Sequence, residues 1–126
     1  MLINLSNHPK ANWDQLQQKT AEAQFGLVED LNFPQIDPNA SLSDVILLVR
    51  EYVEKCCRML AQAEKDKHHA IHIMGEFTFT YQFLKEMEHR GILCIASTTE
   101  RLVKENPDGT FTTTFNFVRF RPYFEF

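Results

Sequence analysis

The sequence predicts an α/β protein with a Rossmann-like, mostly parallel sheet, helices on both faces of the sheet, and a C-terminal β-hairpin. Two observations lead to this fold. Short apolar segments alternate with longer segments in which apolar residues recur every three or four positions, in the order β-α-β-α-β-α-β. The turn sequence Asn106-Pro107-Asp108-Gly109 then separates two segments rich in β-branched and aromatic residues, which is typical of a hairpin.

The first β-α-β unit occupies the first quarter of the chain. Met1 to Leu5 is an apolar run that predicts a buried strand. Asn12 is a suitable N-cap for the first helix, and Gly26 suits the left-handed position after its end. Leu27 to Leu31 predicts a second, weaker strand. The residues expected on the inward stripe of the helix are Trp13, Leu16, Thr20 and Ala23.

The second half of the core begins with the longest helical pattern. Ser41 and Asp44 form a capping-box sequence, and about five turns of 3-4 spacing follow before a charged run at 64–69 that we expect to be solvent-exposed. Ala70 to Met74 predicts the third strand and Ile92 to Ala96 the fourth. The third helix lies between these strands, ends at Gly91, and is indicated by Phe79, Phe83, Leu84 and Met87.

We expect one domain over residues 1–126, with the β-α-β-α-β-α-β core in 1–98 and the hairpin and aromatic tail in 99–126. Arg101 to Glu105 and Thr110 to Phe120 are the predicted hairpin strands. The tail, residues 117–126, carries five aromatic side chains, so it should pack on its own sheet or on another subunit.

Composition restricts the function. The chain has 126 residues, a formal net charge of −4 and three cysteines in no zinc-ligand or disulfide spacing. The acidic balance argues against binding duplex nucleic acid, and no apolar run approaches the ~18 residues of a membrane span. We therefore expect a cytoplasmic protein with reduced thiols, no metal, no cofactor and no membrane contact.

Three polar clusters follow predicted strands directly, and in an open α/β sheet such loops share one ligand-binding edge. In the first cluster, Ser6 and Asn7 could hold a phosphate or a ribose, and His8 could act as a general acid or base. The alternative is an ordinary surface loop, fixed by Pro9.

The second cluster lies where a strand changes into a helix. Gly75 allows close backbone approach, Glu76 could accept a hydrogen bond from a ribose or a base, and Thr78 lies in the first helical turn. A purely structural role is equally open, in which Thr78 caps the helix and Glu76 complements the helix dipole.

The third cluster contains consecutive hydroxyls and a guanidinium. Ser97, Thr98 and Thr99 follow the fourth strand, and Arg101 comes close behind. This set matches the oxygens of a phosphodiester, because arginine binds such groups bidentately. The alternative is a solvated turn in which Glu100 and Arg101 are only neighbours. Serine-hydrolase chemistry is disfavoured, since the sequence has no G-x-S-x-G motif and no visibly positioned Asp/His pair.

The strand exit Asn4-Leu5-Ser6-Asn7-His8-Pro9, the turn Met74-Gly75-Glu76 and the run Ser97-Thr98-Thr99-Glu100-Arg101 together resemble the small stand-alone CRISPR-associated Rossmann-fold (CARF-like) proteins of type III CRISPR systems. The resemblance implies a homodimer whose strand ends bind a cyclic oligoadenylate, cyclic tetra-adenylate above all. Some members of this group only bind that messenger, and others, the ring nucleases, cleave it.

Two functions follow as expectations. In the first, the protein sequesters cyclic oligoadenylate or cleaves it without a metal, giving a 2′,3′-cyclic phosphate and modulating type III CRISPR antiviral defence. Arg101 and His8 would then be catalytic, and the other residues of the clusters would bind the nucleotide. In the second, the protein is a non-catalytic interaction module that presents its aromatic hairpin and tail to another chain.

Overall fold

The computed structural model describes residues 1–65 and 67–126, in which five strands form one sheet and three helices cover its two faces. The strands are β1 (Leu2–Ser6), β2 (Val28–Asn32), β3 (Ala70–Met74), β4 (Cys94–Glu105) and β5 (Phe111–Pro122). Their order in the sheet is β2-β1-β3-β4-β5, with β1 to β4 parallel and β5 antiparallel to β4. The predicted fold class is confirmed.

The helices are α1 (Gln15–Phe25), α2 (Leu42–Ala61) and α3 (Phe77–His89), and a short 3₁₀ turn, Lys10–Asn12, precedes α1. Alternation along the strands separates two apolar layers. On β1, Leu2 packs in the layer under α1, whereas Ile3 and Leu5 pack in the layer under α2 and α3. The parallel strands are therefore covered on both faces, as their apolar sequences require.

The predicted start of the first helix is wrong by two residues. Asp14, not Asn12, is the N-cap, and its carboxylate accepts a hydrogen bond from the Gln17 backbone N–H. The expected inward stripe of this helix is also wrong. Leu16 is 55% exposed, and the buried positions of α1 are Ala21 and Phe25. Trp13 is buried, but it lies before the helix.

The other helix boundaries follow the predicted signals. The Ser41 hydroxyl accepts from the Asp44 backbone N–H, and the Asp44 carboxylate accepts from the Ser41 N–H, which completes the capping box of α2. Gly26 and Gly91, which follow α1 and α3, have φ angles of 78° and 71°. Strand β3 has the predicted bounds. Of the charged run 64–69, Asp66 lies outside the described residues.

The loop predicted at 97–101 is wrong, because β4 continues without interruption from Cys94 to Glu105. β3 pairs with β4 only at Cys94 and Ile95, whereas β5 pairs with β4 along its length. The β-branched Thr98 and Thr99 suit this continuous strand. Residues 98–119 thus form a two-stranded extension past the edge of the sheet, which we call the hairpin arm.

The aromatic tail packs partly on the sheet, as predicted. Phe117 and Phe120 are buried, and Phe124 contacts the layer under α2 and α3. The Tyr123 hydroxyl donates a hydrogen bond to the backbone carbonyl of Ile73 at 2.6 Å. Phe126 is 72% exposed. Within residues 1–65 and 67–126, no helix is both long enough and apolar enough to cross a membrane.

Gly75, directly after β3, allows a close approach that we expect to be essential for packing. A Cβ at this position would overlap the ring of Phe33, which is buried and packs edge-on against Phe79 with ring centroids 5.0 Å apart. Because the Phe33 ring is buried and packed against Phe79, Gly75→Ala should destabilise the protein by ~1–3 kcal/mol, as overpacking does elsewhere. Urea unfolding of the parent and the variant measures this loss.

A second substitution tests the cause. Phe33→Leu removes the overlapping ring atoms, so Gly75→Ala should cost much less free energy of unfolding in a Phe33→Leu background. Equal costs in both backgrounds would contradict the proposed overlap.

Candidate functional site

The strand order places a topological switch point between β1 and β3. From β1 the chain moves through α1 to β2 on one side, and then returns through α2 to β3 on the other side. β1 and β3 end in register, with Ser6 opposite Met74. Ligands of open α/β sheets bind in the crevice at this point. A cleft of about 630 Å³ lies here, which we call the switch-point cleft.

The cleft brings together residues from all three predicted clusters, although these lie far apart in the chain. The predicted residues that line it are Ser6, Asn7, His8, Gly75, Ser97 and Thr99. Sequence reasoning missed the other lining residues, which are Asn12, Trp13, Asp14, Gln17, His72, Met74, Phe115 and Phe117. The side chains therefore converge on one edge, as the topology predicts.

A chain of hydrogen bonds crosses the floor of the cleft from β1 to β4. Asn4 on β1, His72 on β3 and Ser97 on β4 lie on the face of the sheet that α1 covers. The Asn4 Oδ1 and His72 Nδ1 atoms are 2.9 Å apart, and the His72 Nε2 and Ser97 Oγ atoms are 2.7 Å apart. We call this set the floor network.

Asn4 can take only one orientation. Its side-chain Nδ2 donates to the Asp30 carboxylate on β2 at 2.8 Å and to the His8 backbone carbonyl at 2.9 Å. Both partners are acceptors, so the amide nitrogen has to face them and Oδ1 has to face His72. Ser6 also donates its hydroxyl hydrogen to Oδ1, at 2.8 Å. Asn4 is 1% exposed and its hydrogen-bonding groups are fully used.

The orientation of Asn4 fixes the tautomer of His72. Since Oδ1 is an acceptor, His72 carries its hydrogen on Nδ1 and keeps a lone pair on Nε2. The imidazole is 2% exposed and packs edge-on against Trp13 and Phe120, with ring centroids 5.3 Å and 5.8 Å away. Burial, and to a smaller extent the nearby His8, lower the pKa of His72 to about 4. His72 is therefore neutral at pH 7.

Ser97 connects the floor network to the cleft and to α1. Because His72 Nε2 can only accept, the Ser97 hydroxyl donates its hydrogen to it. Gln17 on α1 donates from Nε2 to the same Ser97 oxygen at 2.9 Å. Ser97 is half-buried and lines the cleft, so its oxygen is within reach of a bound molecule.

Acidic side chains of the chain itself cap two helix N-termini near the cleft. The Asp14 carboxylate accepts from the N–H groups of Gln17 and Phe117, at 2.8 Å and 3.1 Å. The Glu76 carboxylate accepts from the N–H groups of Thr78 and Phe79. An N-terminal helix end filled by a carboxylate is a poor phosphate site, because the negative charges repel.

From the sequence, the structural alternative is that Thr78 caps α3 while Glu76 complements the helix dipole. In the structure the cap is Glu76 and not Thr78. Glu76 is the N-cap of α3, and the Thr78 hydroxyl donates to its carboxylate at 2.7 Å. Hydrogen bonds from the Phe79 N–H, and then from the Thr78 hydroxyl, lower the pKa of Glu76. Neither residue is among those that line the cleft.

Thr98 and Arg101 also lie outside the lining. The Thr98 hydroxyl donates to the Arg119 carbonyl at 3.0 Å, on the face of β4 opposite to Ser97. Arg101 is exposed on the hairpin arm and pairs in register with Phe115, so both side chains share the cleft face of the arm. Arg101 is thus placed at the rim, directly across from Phe115 on the neighbouring strand.

The loop that carries His8 is held by its own backbone. The His8 carbonyl accepts from Trp13 Nε1 at 3.0 Å in addition to Asn4 Nδ2. Its imidazole is exposed and lines the cleft. His8 therefore has a fixed backbone and a side chain free to contact a ligand, while Arg101 is the nearest guanidinium along the cleft face of β4.

The lining is polar but weakly charged. It contains hydroxyls, amides and two imidazoles, one carboxylate from Asp14, and no lysine or arginine. Among the described residues, no three His, Cys, Asp or Glu side chains lie close enough together to hold a metal ion. The donors and acceptors of this set suit ribose hydroxyls and base edges better than a row of phosphates.

One signal could have revealed the floor network. Asn4 and His72 are polar residues inside apolar strands, and each stands two positions before the last residue of its strand. Alternation therefore puts Asn4 with Ser6, and His72 with Met74, on the same face. The pairing of Asn4 with His72 depends on how β1 and β3 lie side by side in the fold. The spacing of residues in the sequence does not give this register.

One family model matches nearly the whole chain. The profile of the uncharacterized protein MJ1673 family matches residues 1–121. The chain belongs to this family. No curated protein and no solved structure matches the chain.

The buried neutral His72 predicts a specific loss of stability in mild acid. The unfolded chain takes up the proton near the ordinary pKa of 6.5, whereas the folded chain takes it up only near 4. Unfolding is therefore favoured progressively as the pH falls from 6.5 to 4, by ~3 kcal/mol at the lower end of that range. Urea unfolding at several pH values measures this slope.

His72→Gln should flatten the pH dependence between 6.5 and 4, because glutamine does not titrate. His89→Gln, a change of an exposed histidine at the end of α3, is the matched control and should leave the slope of the parent unchanged. If the parent and His72→Gln show the same slope, His72 is not the group responsible.

Proposed function

We propose that the protein binds a cyclic oligoadenylate in the switch-point cleft, and that two copies of the chain together hold one ring. The convergence of hydroxyl, imidazole and aromatic groups from β1, β3, β4 and β5 at the switch point is the observation that supports this most. Pockets at this point of α/β folds characteristically take nucleotides. Cyclic tetra-adenylate is the first ligand to test.

The cleft offers groups for the nucleoside part of such a ligand. Ser97 presents an oxygen whose hydrogen is committed to His72, so it suits a donor such as a ribose hydroxyl or an adenine amine. Phe115 is 65% exposed and lines the cleft, which makes its ring available for stacking a base. Base stacking on aromatic rings contributes ~1–3 kcal/mol per base.

The phosphates require positive charge, and the lining supplies little of it. Arg101 shares the cleft face of the arm with Phe115, so it can reach a phosphate that lies at the rim while a base stacks on the ring. His8, in the loop after β1, lines the cleft and can donate to another phosphate oxygen. In this arrangement the base and ribose lie on the floor and the phosphates lie outward.

A two-fold arrangement of protomers suits this ligand. A cyclic tetramer of adenylate can itself be two-fold symmetric, and two identical clefts then contact equivalent halves of the ring. Each copy would contribute one Arg101 and one His8, which doubles the positive charge around the phosphates.

Arg101→Ala should weaken the binding of cyclic tetra-adenylate about 10- to 100-fold, the loss expected for one charge-assisted contact. Isothermal titration calorimetry at two salt concentrations measures the dissociation constant. The salt dependence of the variant should also be smaller, since one phosphate contact is gone.

Arg121→Ala is the matched control, because it removes the same charge from β5 at a position paired with Ala96, on the opposite face of the sheet. It should change the affinity only slightly. Equal affinities for the parent and Arg101→Ala would remove Arg101 from the site, and absence of any binding by the parent would refute the proposed function.

The hairpin arm supports a second candidate, a non-catalytic module that binds another protein through its apolar surface. Phe111 and Val103 are 66% and 55% exposed on the same face of the arm. A two-stranded ribbon is marginal in water by itself, and exposed apolar patches commonly mark a binding surface. The occupant we favour is a second copy, which is also what the shared ring requires.

Sedimentation at micromolar concentration should therefore give a mass close to twice 14.8 kDa. Phe111→Ser should shift the protein toward the monomer. It should leave the melting temperature of the monomer unchanged, because Phe111 makes little contact within its own chain. A parent that is monomeric with and without cyclic tetra-adenylate would contradict the two-copy site.

A further inference from the structure

The hydrogen bonds of the floor network leave one acceptor position open at Ser97. A hydroxyl oxygen has one hydrogen and two lone pairs. The Ser97 hydrogen goes to His72 Nε2, and Gln17 Nε2 donates to one of the lone pairs. Among the described residues no other group contacts this oxygen, so the second lone pair is available to a molecule in the cleft.

The order of donors and acceptors gives the network a direction. Asn4 holds the Nδ1 hydrogen of His72, His72 Nε2 accepts the hydrogen of Ser97, and Ser97 can accept a hydrogen from a ligand. The bond between Asn4 and His72 is 2.9 Å long, and the bond between His72 and Ser97 is 2.7 Å long. This nucleophile–base–orienter order is the arrangement by which side chains activate a hydroxyl group.

We propose that Ser97 and His72 form a proton relay that activates a ligand hydroxyl at the floor of the switch-point cleft. The proposal rests on the proposed function, in which the hydroxyl is a ribose 2′-OH of the cyclic oligoadenylate. Ser97 is the catalytic residue because it touches the ligand. His72 and Asn4 are positioning residues, since they act through Ser97.

The step balances as a transesterification. The 2′-OH proton passes to Ser97 Oγ while the Ser97 proton passes to His72 Nε2. The 2′ oxygen forms a bond to the adjacent phosphorus, and the bond from phosphorus to the 5′ oxygen breaks. The departing 5′ oxygen takes a proton from water, and His72 then returns its extra proton through Ser97 to the hydroxide that remains. The products carry a 2′,3′-cyclic phosphate and a 5′-hydroxyl.

The surroundings of His72 determine when the relay can work. Burial keeps the imidazole neutral at pH 7, so Nε2 holds the lone pair that the step needs. It is a weak base in the empty cleft. The negative charge of a bound phosphodiester raises the proton affinity of His72, because opposite charges attract more strongly when one of the two groups is buried. The relay is thus coupled to the presence of the ligand.

The central experiment separates binding from cleavage. Calorimetry gives the dissociation constant of cyclic tetra-adenylate, and single-turnover assays with chromatography give the cleavage rate and the products. Ser97→Ala should cut the rate ~10²-fold or more while changing the dissociation constant less than about tenfold, as expected for a lost proton-transfer group. Ser97→Thr keeps the hydroxyl and should recover a large part of the rate.

Two controls isolate the relay. Thr114→Ala removes a hydroxyl from the face of the arm that points away from the cleft, and should keep the parent rate. Cyclic tetra-adenylate with 2′-O-methyl riboses lacks the hydroxyl, so the parent should bind it and leave it intact. In the protein without ligand, ¹⁵N NMR should show His72 protonated at Nδ1 and not at Nε2.

Each result decides a different point. A Ser97→Ala variant that cleaves at the parent rate, or a His72 protonated at Nε2, would overturn the relay and leave the proposed function standing. A parent that binds the ring but never cleaves it would also overturn the relay, with the binding function intact. A parent that does not bind the ring would refute the proposed function, and the relay with it.

Discussion

The side-chain amide of Asn4 is the interaction on which the rest of this edge depends. It joins Asp30 on β2, His72 on β3 and the carbonyl of His8 through hydrogen bonds of 2.8 to 2.9 Å. A buried polar group without partners costs roughly 1–3 kcal/mol, so the amide is tolerable in this layer only because every one of its positions is used. The same bonds fix the exit loop of β1 and the orientation of His72.

The hydrogen bonds at this edge of the sheet also limit which chemical groups the cleft can bind. In dinucleotide folds the phosphates sit on free N–H groups at a helix N-terminus. Here Asp14 and Glu76 occupy those groups at α1 and α3. The cleft is left with oriented neutral groups on the floor and with Arg101 at the rim. The proposed nucleotide ligand would therefore be bound mainly through ribose, base and stacking contacts, with its phosphates at the periphery.

Sequence periodicity was sufficient for the fold because each element carries its own signal. The capping box at Ser41 and the apolar run at Ala70 to Met74 are local signals, and both elements lie at the predicted places. The two errors arose where local signals compete. Asn12 and Asp14 are both good N-caps, and the one with the tertiary partner Phe117 begins the helix. Ser97 to Arg101 reads as a polar loop, yet pairing with β5 makes it a strand.

The candidate site was predictable only in part, for a related reason. Ser6, Gly75 and Ser97 were found because topology alone brings strand ends to one edge. Asn4 and His72 were not found, because the role of a polar residue inside a strand depends on which residue lies in register with it on the next strand. Asn4 and His72 are 68 positions apart in the chain and 2.9 Å apart in space. Their pairing depends on the long crossover through α2.

One irregularity in the hairpin links the arm to the floor network. The register of β4 and β5 shifts between Thr98 and Thr99, so Val118 has no partner and Phe117 and Phe120 fall on the same face. In a regular strand, residues three apart would face opposite sides. The bulge lets Phe120 pack against His72 while Phe115 and Phe117 line the cleft. Ser97, Thr99 and Arg101 share this face by simple alternation along β4, because the extra residue lies in β5. The inserted residue in β5 thus brings the ring that packs on His72 and the rings that line the cleft to the same face of the sheet.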